Sequence, residues 1–379
     1  MNRRDSSTRD YFPNPRPTRT ERLRRRRRKQ ITILAILGVL ALMLILSAIF
    51  VLKDAVGGNG EDTTPDTSAV LGGETEPDEE TEPDEETDPI EETEPIVEPD
   101  VTTVPPASGY TSIILSASDA GAGPLVLVGT THPYAFPNGE ANIENLYDAN
   151  EKVTAPDGSV KSLYQLAGSQ NISLDSTALT HFKDMCRALV TEKGYNVYID
   201  NNGGYRSYAT QDALYKKYPQ TAVPAGQSDH NSGYGINMAV FMNGSVYSFA
   251  SSNEACRTIL AWVNANAHKY GFVRRYDPAK ASQTGMTAGL DDWHYRYVGE
   301  AHAYYMKQNN LCLEEYIAVL ENYYAYGQNH LKITTDSGKK YEIYFVAQTG
   351  NNTAVPVPTG KNYTVSGNNH SGFIVTIEA

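Results

Sequence analysis

Cysteine is scarce in this chain of 379 residues: there are three, Cys186, Cys256 and Cys312. None belongs to a Cys-x-x-Cys pair or to any other ligand-like spacing. That excludes a disulfide-stapled scaffold and a cysteine-based structural metal site. Each sits in apolar sequence of helical character, as in Asp184-Met-Cys-Arg-Ala-Leu, and reads as a small buried hydrophobe. Positive charge is missing altogether from Asp54 to Pro106. The net charge of -13 therefore describes an acidic segment and not a binding surface, and no nucleic-acid partner is expected. Regular alternation of strands and helices is missing too. This argues against a parallel doubly wound sheet and for an α+β fold.

Long apolar runs are absent with one exception. Ile31 to Leu52 carries no charge and is rich in Leu, Ile, Ala and Val. A bilayer core needs roughly 20 such residues, and backbone groups in lipid must pair within a helix. The preceding residues 1–30 are basic, with an unbroken run from Arg24 to Lys29. The positive-inside rule then puts residues 1–30 in the cytoplasm and everything after residue 52 outside the cell. No small-x-small cleavage site follows, which argues against a removed signal peptide. Residues 53–107 form a linker in which Thr75-Glu-Pro-Asp-Glu-Glu returns at Thr81 and, altered, at Thr87. Like charge and repeated proline leave it too little apolar surface for a core, and self-repulsion should extend it as a spacer.

The globular part starts near Ser108. Pro124-Leu-Val-Leu-Val-Gly is predicted as a strand, and Asp175 to Lys193 as a helix with an Asp cap. A strand over Asn196-Val-Tyr-Ile-Asp leads into Gly203-Gly-Tyr-Arg-Ser. Thr210 to Lys217 and Ser252 to Tyr270 read as helices. Gly271-Phe-Val-Arg-Arg-Tyr and Trp293-His-Tyr-Arg-Tyr-Val read as strands. Leu313 to Tyr324 is a further helix, and Leu331 to Val346 is a hairpin around Asp336-Ser-Gly. Tyr363-Thr-Val-Ser and Phe373-Ile-Val-Thr-Ile are predicted as closing strands. His268 and His302 lie in helical sequence and read as structural. The 26 tyrosines are explained mostly by core packing and strand propensity.

Chemistry-bearing residues fall in four pieces: Tyr205-Arg-Ser-Tyr-Ala-Thr-Gln-Asp-Ala-Leu-Tyr215, Ser228-Asp-His-Asn-Ser-Gly-Tyr-Gly-Ile-Asn237, Gly271-Phe-Val-Arg-Arg-Tyr276 and Asp291-Asp-Trp-His-Tyr-Arg-Tyr-Val-Gly299. His230 and His294 are distant in sequence. Imidazole suits zinc, and a catalytic zinc site usually takes three protein ligands. Two histidines alone are weak grounds for such a site.

The stretch from about Asn196 to Met306 resembles the VanY-type D-alanyl-D-alanine carboxypeptidases, zinc peptidases with the patterns S-x-H-x-x-G-x-A-x-D and E-x-W-H. Ser228, His230 and Gly233 match the first pattern, and Trp293 and His294 the second. Arg296-Tyr-Val-Gly and the run from Tyr205 match as well. The resemblance implies a central antiparallel sheet flanked by helices over residues 108–310, followed by a small β-rich extension over 311–379. It implies Zn2+ held by His230, His294 and Asn237, with Arg206 clamping a substrate carboxylate. It also implies Gln211, Ser228 and Tyr205 around the substrate, and Asp291 at the position of the catalytic base. The implied substrate is the D-Ala-D-Ala end of peptidoglycan stem peptides. Two positions depart from the family: Asn237 stands where an Asp ligand is usual, and Asp291 where Glu is usual, with Asp292 in place of Pro. Two readings follow, a zinc D,D-carboxypeptidase and a catalytically impaired relative that binds stem-peptide ends.

Overall fold

The chain as described enters on strand β1, Tyr110–Ser116. In this computed structural model the described residues are 107–140, 142–168, 170–285 and 293–379. The expected cytoplasmic tail, the apolar segment 31–52 and nearly all of the acidic linker lie outside them, as do Asp291 and Asp292. Among the described residues no helix is long and apolar enough to cross a membrane.

The apolar run after β1 is not the strand its composition predicts. Leu125, Val126, Leu127 and Val128 are all buried, but no neighbouring strand takes their backbone groups. Leu125 N donates to Ser366 Oγ and Leu127 N to the Asn368 carbonyl, both at 3.0 Å. The Pro124 and Val126 carbonyls accept from Arg296 Nη2 at 3.0 and 3.1 Å. Buried backbone groups must be paired, and here a guanidinium replaces a ladder.

Helix α1 is Ser176–Lys193. The Asp175 carboxylate caps it, accepting from Thr177 N at 2.9 Å and Ala178 N at 3.3 Å. Its buried face, including Phe182, Cys186 and Leu189, forms one core with the elements that follow. Strand β2, Val197–Ile199, runs parallel to Tyr164–Leu166. Helix α2, Tyr208–Lys217, begins two residues before its predicted start because Ser207 caps it. Strand β3 is Gly235–Asn237. Helix α3, Glu254–Asn266, is capped by Asn253 and tightens into a 3-10 turn over Ala267–Tyr270. Strands β4, Phe272–Arg274, and β5, His294–Tyr297, complete a three-stranded antiparallel sheet in the order β4-β5-β3.

Helix α4, Glu300–Asn309, contains His302, whose surrounding sequence reads as helical. It packs with α5, Leu313–Tyr323, in a second core shared with the C-terminal strands. Those strands are β6, Leu331–Thr334; β7, Lys340–Ala347; β8, Asn352–Pro358; β9, Tyr363–Gly367; and β10, Gly372–Glu378. The predicted hairpin is β6–β7, inside an antiparallel sheet ordered β6-β7-β10-β9. β8 leaves that sheet to pair with β1, Tyr110 opposite Pro358. The architecture is α+β. All three cysteines are free and buried.

Candidate active site

The antiparallel register of β3 and β5 sets Asn237 directly opposite His294. Paired residues leave the sheet on the same face, so two positions 57 apart in sequence meet: His294 Nδ1 lies 2.7 Å from Asn237 Oδ1. His230 arrives from the 3-10 turn Asp229–Ser232. That turn is closed by Gly233 at φ 79°, where an added Cβ would stand 2.8 Å from Ile143 Cδ1. The two imidazole rings are 4.7 Å apart between centroids.

Hydrogen bonds set the tautomers. His230 Nδ1 is 2.7 Å from the Gly204 carbonyl, which can only accept, so Nδ1 carries the proton and Nε2 keeps its lone pair. His294 Nε2 donates to Asp229 Oδ2 at 3.1 Å, which leaves Nδ1 as the lone pair facing Asn237. A carboxylate behind the imidazole is the usual way to orient a metal-binding histidine. Tyr276 stacks on the His294 ring at 5.2 Å and 17°. Burial holds both imidazoles below their usual pKa and keeps them neutral. Burial opposes ionisation of Asp229, but Arg296, His294 and Arg275 outweigh it, so its pKa lies well below the usual carboxylate range.

Arg206 completes the cavity. Its backbone N donates to the His230 carbonyl at 3.2 Å, and Asn231 Nδ2 donates to the Arg206 carbonyl at 2.7 Å. Nε donates to the Asn202 carbonyl at 2.9 Å and Nη1 to Gln211 Oε1 at 3.1 Å. Gln211 is fully buried and held by its own bond to the Val223 carbonyl, 2.7 Å. Among the described residues no carboxylate forms an ion pair with Arg206. Burial lowers its pKa to about 10, only partly offset by Asp200. A half-buried guanidinium with no carboxylate ion pair among the described residues is poised for an anion.

Arg206, Gln211, Ser228, His230, Asn237 and His294 all line one cavity of about 180 Å³, with Trp293 and Tyr276 in its wall. A larger cavity of about 590 Å³, bordered by Tyr234 and Tyr297, holds neither motif histidine. Tyr205 does not line the site. Burial and the Glu140 carboxylate push its hydroxyl pKa up to about 12, and its backbone N donates to the Ser173 carbonyl at 2.7 Å. The position of Asp291 lies outside the described residues.

The donors suit zinc in kind: two imidazole nitrogens and an amide oxygen converge. They lack the anionic third ligand, and among the described residues no three His, Cys, Asp or Glu side chains form a metal-binding group. Asn237 can also turn its amide and donate Nδ2–H to His294 Nδ1, an option closed to a carboxylate. A cation then competes with a hydrogen bond.

Asp229, Arg275 and Arg296 are at least 98% buried; from sequence the first two carry no role, and Arg296 enters only as part of a matched run. For Arg275 and Arg296 the available signal was charge inside strand-like apolar runs, which must find a partner to be buried; Asp229, in a polar turn, carried no such signal.

Three buried neutral histidines give a testable pH dependence. His230, His294 and His302 all have pKa values lowered by burial, His302 to about 3. The unfolded chain then binds more protons below about pH 6.5, so stability falls as pH falls. Each contributes up to about 1.4 kcal/mol per pH unit. Urea unfolding of metal-free protein should show lower stability at pH 5 than at pH 7; a flat profile would contradict this reading. The depressed Asp229 adds its loss only below its unfolded pKa near 4.

The sequence profile of the VanY family, described as D-alanyl-D-alanine carboxypeptidase, matches residues 171–300. A D-alanyl-D-alanine carboxypeptidase of Enterococcus faecium is 32% identical over 256 residues, 67% of this chain and 75% of that protein. One from Enterococcus faecalis is 35% identical over 129 residues, 34% of this chain and 44% of that protein. Among solved structures, the vancomycin-resistance D,D-dipeptidase VanXYg in complex with a D-Ala-D-Ala phosphinate analogue has a TM-score of 0.56 at 23% identity, covering 71% of this chain and 99% of that one. The latter likeness is one of fold.

Proposed function

Because the chain belongs to the D-alanyl-D-alanine carboxypeptidase family, we propose that its cleft takes the D-Ala-D-Ala end of peptidoglycan stem peptides. The observation that carries this is the Arg206 guanidinium, without a carboxylate ion pair among the described residues, in the same small cavity as His230, Asn237 and His294. Arg206 pairs with the terminal carboxylate as a planar fork. Gln211 fixes the fork through its bond to Nη1. A space of about 180 Å³ suits alanine-sized residues and excludes bulky side chains.

His230 Nε2 and His294 Nδ1 would hold Zn2+, with Asn237 Oδ1 as the third donor. Zinc bound there would lower the pKa of an attacking water and polarise the scissile carbonyl. Asp291 occupies the position of the base by sequence. It is one methylene shorter than the family Glu, and a base must come within about 3 Å of its proton or act through one water. A neutral donor set holds a dication weakly, so hydrolysis by the natural protein is expected to be slow. The Asn237–His294 contact favours a second reading, a module that binds stem-peptide ends without cleaving them. The test is release of D-Ala from a stem pentapeptide by the full chain at matched zinc concentrations, together with binding of the same peptide. Binding without release supports the second reading, and absence of both removes the assignment.

The full protein is proposed to sit in the cell membrane through residues 31–52, with its N-terminus cytoplasmic and its main domain outside. Protease added to intact cells should then remove the domain and spare an N-terminal tag. A protected domain would overturn this orientation.

A further inference from the structure

Glu314 lies on α5, beyond the residues matched by the family profile. Its carboxylate takes both arms of the Arg275 fork, Nη1 at 3.0 Å and Nη2 at 2.6 Å. Arg275 is 1% exposed, and its Nε stands 3.5 Å from Asp229 Oδ1 without forming a hydrogen bond. Asp229 accepts from Arg296 Nη1 and, through its other oxygen, from His294 Nε2. The contacts therefore run unbroken from the C-terminal helix to the imidazole that faces Asn237.

We propose that Glu314 is a positioning residue for His294, acting through Arg275 and Asp229, so that the C-terminal segment is a working part of the site. The inference rests on the stem-peptide reading of the cleft for its purpose, though not for its geometry. Two carboxylates, Asp229 and Glu314, face two guanidinium groups, Arg275 and Arg296, so the buried group is neutral. With both arms held by Glu314, Arg275 touches Asp229 only at a distance. Asp229 Oδ2 stays with His294 and keeps the proton on Nε2. Without the Glu314 charge, Arg275 has two free arms, and Asp229 is its remaining ion-pair partner among the described residues. It draws the Asp229 carboxylate toward itself. His294 then loses the acceptor that fixes its tautomer, and its Nδ1 no longer offers a lone pair to the cavity. A buried charge deprived of its partner is costly, so this rearrangement is the relaxation available.

The test uses the full chain in four forms: natural, Glu314→Gln, Glu314→Asp, and Glu314→Gln combined with Arg275→Met. The readouts are the His294 side-chain tautomer by nitrogen NMR, Zn2+ affinity by competition with a chromophoric chelator, urea unfolding, and affinity for a D-Ala-D-Ala-ended pentapeptide. Glu314→Gln should move His294 from the Nε2–H toward the Nδ1–H form and weaken zinc binding about tenfold or more, the range for lost outer partners of a ligand. Glu314→Asp should keep the natural tautomer. The double variant removes one charge of each sign and should recover the tautomer, and zinc affinity to within about threefold, even where its unfolding midpoint stays low. A merely structural Glu314 predicts the reverse: tautomer and zinc affinity unchanged in the single variant, or falling in step with stability and lowest in the double. Either result overturns the proposal. If Glu314→Gln does not fold, the double variant decides, because charge balance requires it to fold better than the single. Natural protein that binds neither zinc nor peptide would remove the functional reading, while the tautomer of the variants still tests the positioning role.

Discussion

Replacing Arg206 by alanine is expected to weaken binding of a D-Ala-D-Ala-ended peptide about a hundredfold or more. The guanidinium is half-buried and has no carboxylate ion pair among the described residues, so a ligand carboxylate would be its counterion. Removing one partner of a buried, hydrogen-bonded charge pair costs roughly 2–5 kcal/mol, and 1.4 kcal/mol is about tenfold in affinity. Arg206→Lys should fall in between, since it keeps the charge and loses the fork. The control lies in the ligand. A peptide ending in an amide should bind the natural protein as weakly as the acid binds Arg206→Ala, and the variant should not distinguish the two. Calorimetry on the four combinations closes a double-mutant cycle. Equal discrimination of acid from amide by both proteins would show that Arg206 is not the clamp. Unfolding of the variant must be checked alongside, because Arg206 also ties the Asn202 carbonyl and Gln211 into place.

The second large effect is expected as a gain. Asn237→Asp returns a negative charge to the point where His294 Nδ1 and Asn237 Oδ1 meet at 2.7 Å. It also removes the amide that can donate to Nδ1 in place of a cation. Zinc affinity should rise by about tenfold to a hundredfold, because affinity follows ligand charge and protonation. Combined with Asp291→Glu, which restores the reach of the base, release of D-Ala should rise well beyond either single change, since ligand and base act as a unit. Asp291→Glu alone should do little while the metal is held weakly. The measurement is D-Ala release at matched free zinc for the natural chain, both single variants and the double. Robust turnover by the natural protein with no gain in the double would mean that the site works as it stands. The binding-module reading would then be wrong.

Sequence and structure agree where the determinants are local. The Asp175 cap and the β6–β7 hairpin each depend on residues within a few positions of one another, and both form. The motif residues Arg206, Gln211, Ser228, His230, Asn237 and His294 were likewise legible, because fixed spacing on either side of a tight turn or along a strand survives in the linear chain. Agreement fails where a segment's partners come from far away. The run at 124–129 has the composition of a strand, yet its carbonyls accept from Arg296, about 170 residues later. Tyr205 belongs to a recognisable run, but its backbone N donates to the Ser173 carbonyl and its hydroxyl pKa is raised by burial and by Glu140, and that run contains neither residue.

By itself, then, the sequence determined which side chains could do chemistry here: two histidines, a guanidinium and an amide in place of a carboxylate. It also determined the α+β class, because periodicity and caps are encoded over a turn or two. Only the tertiary structure decided how those side chains are charged and aimed. The register of β3 against β5 brings Asn237 to His294. The burial of Asp229 between two guanidinium groups fixes which nitrogen of His294 carries the proton. Glu314, on a helix outside the matched motifs, balances that charge. The physical reason is that pairing and desolvation depend on distance in space. An isolated charge cannot be buried, and its partner is whichever group the fold delivers within about 3 Å.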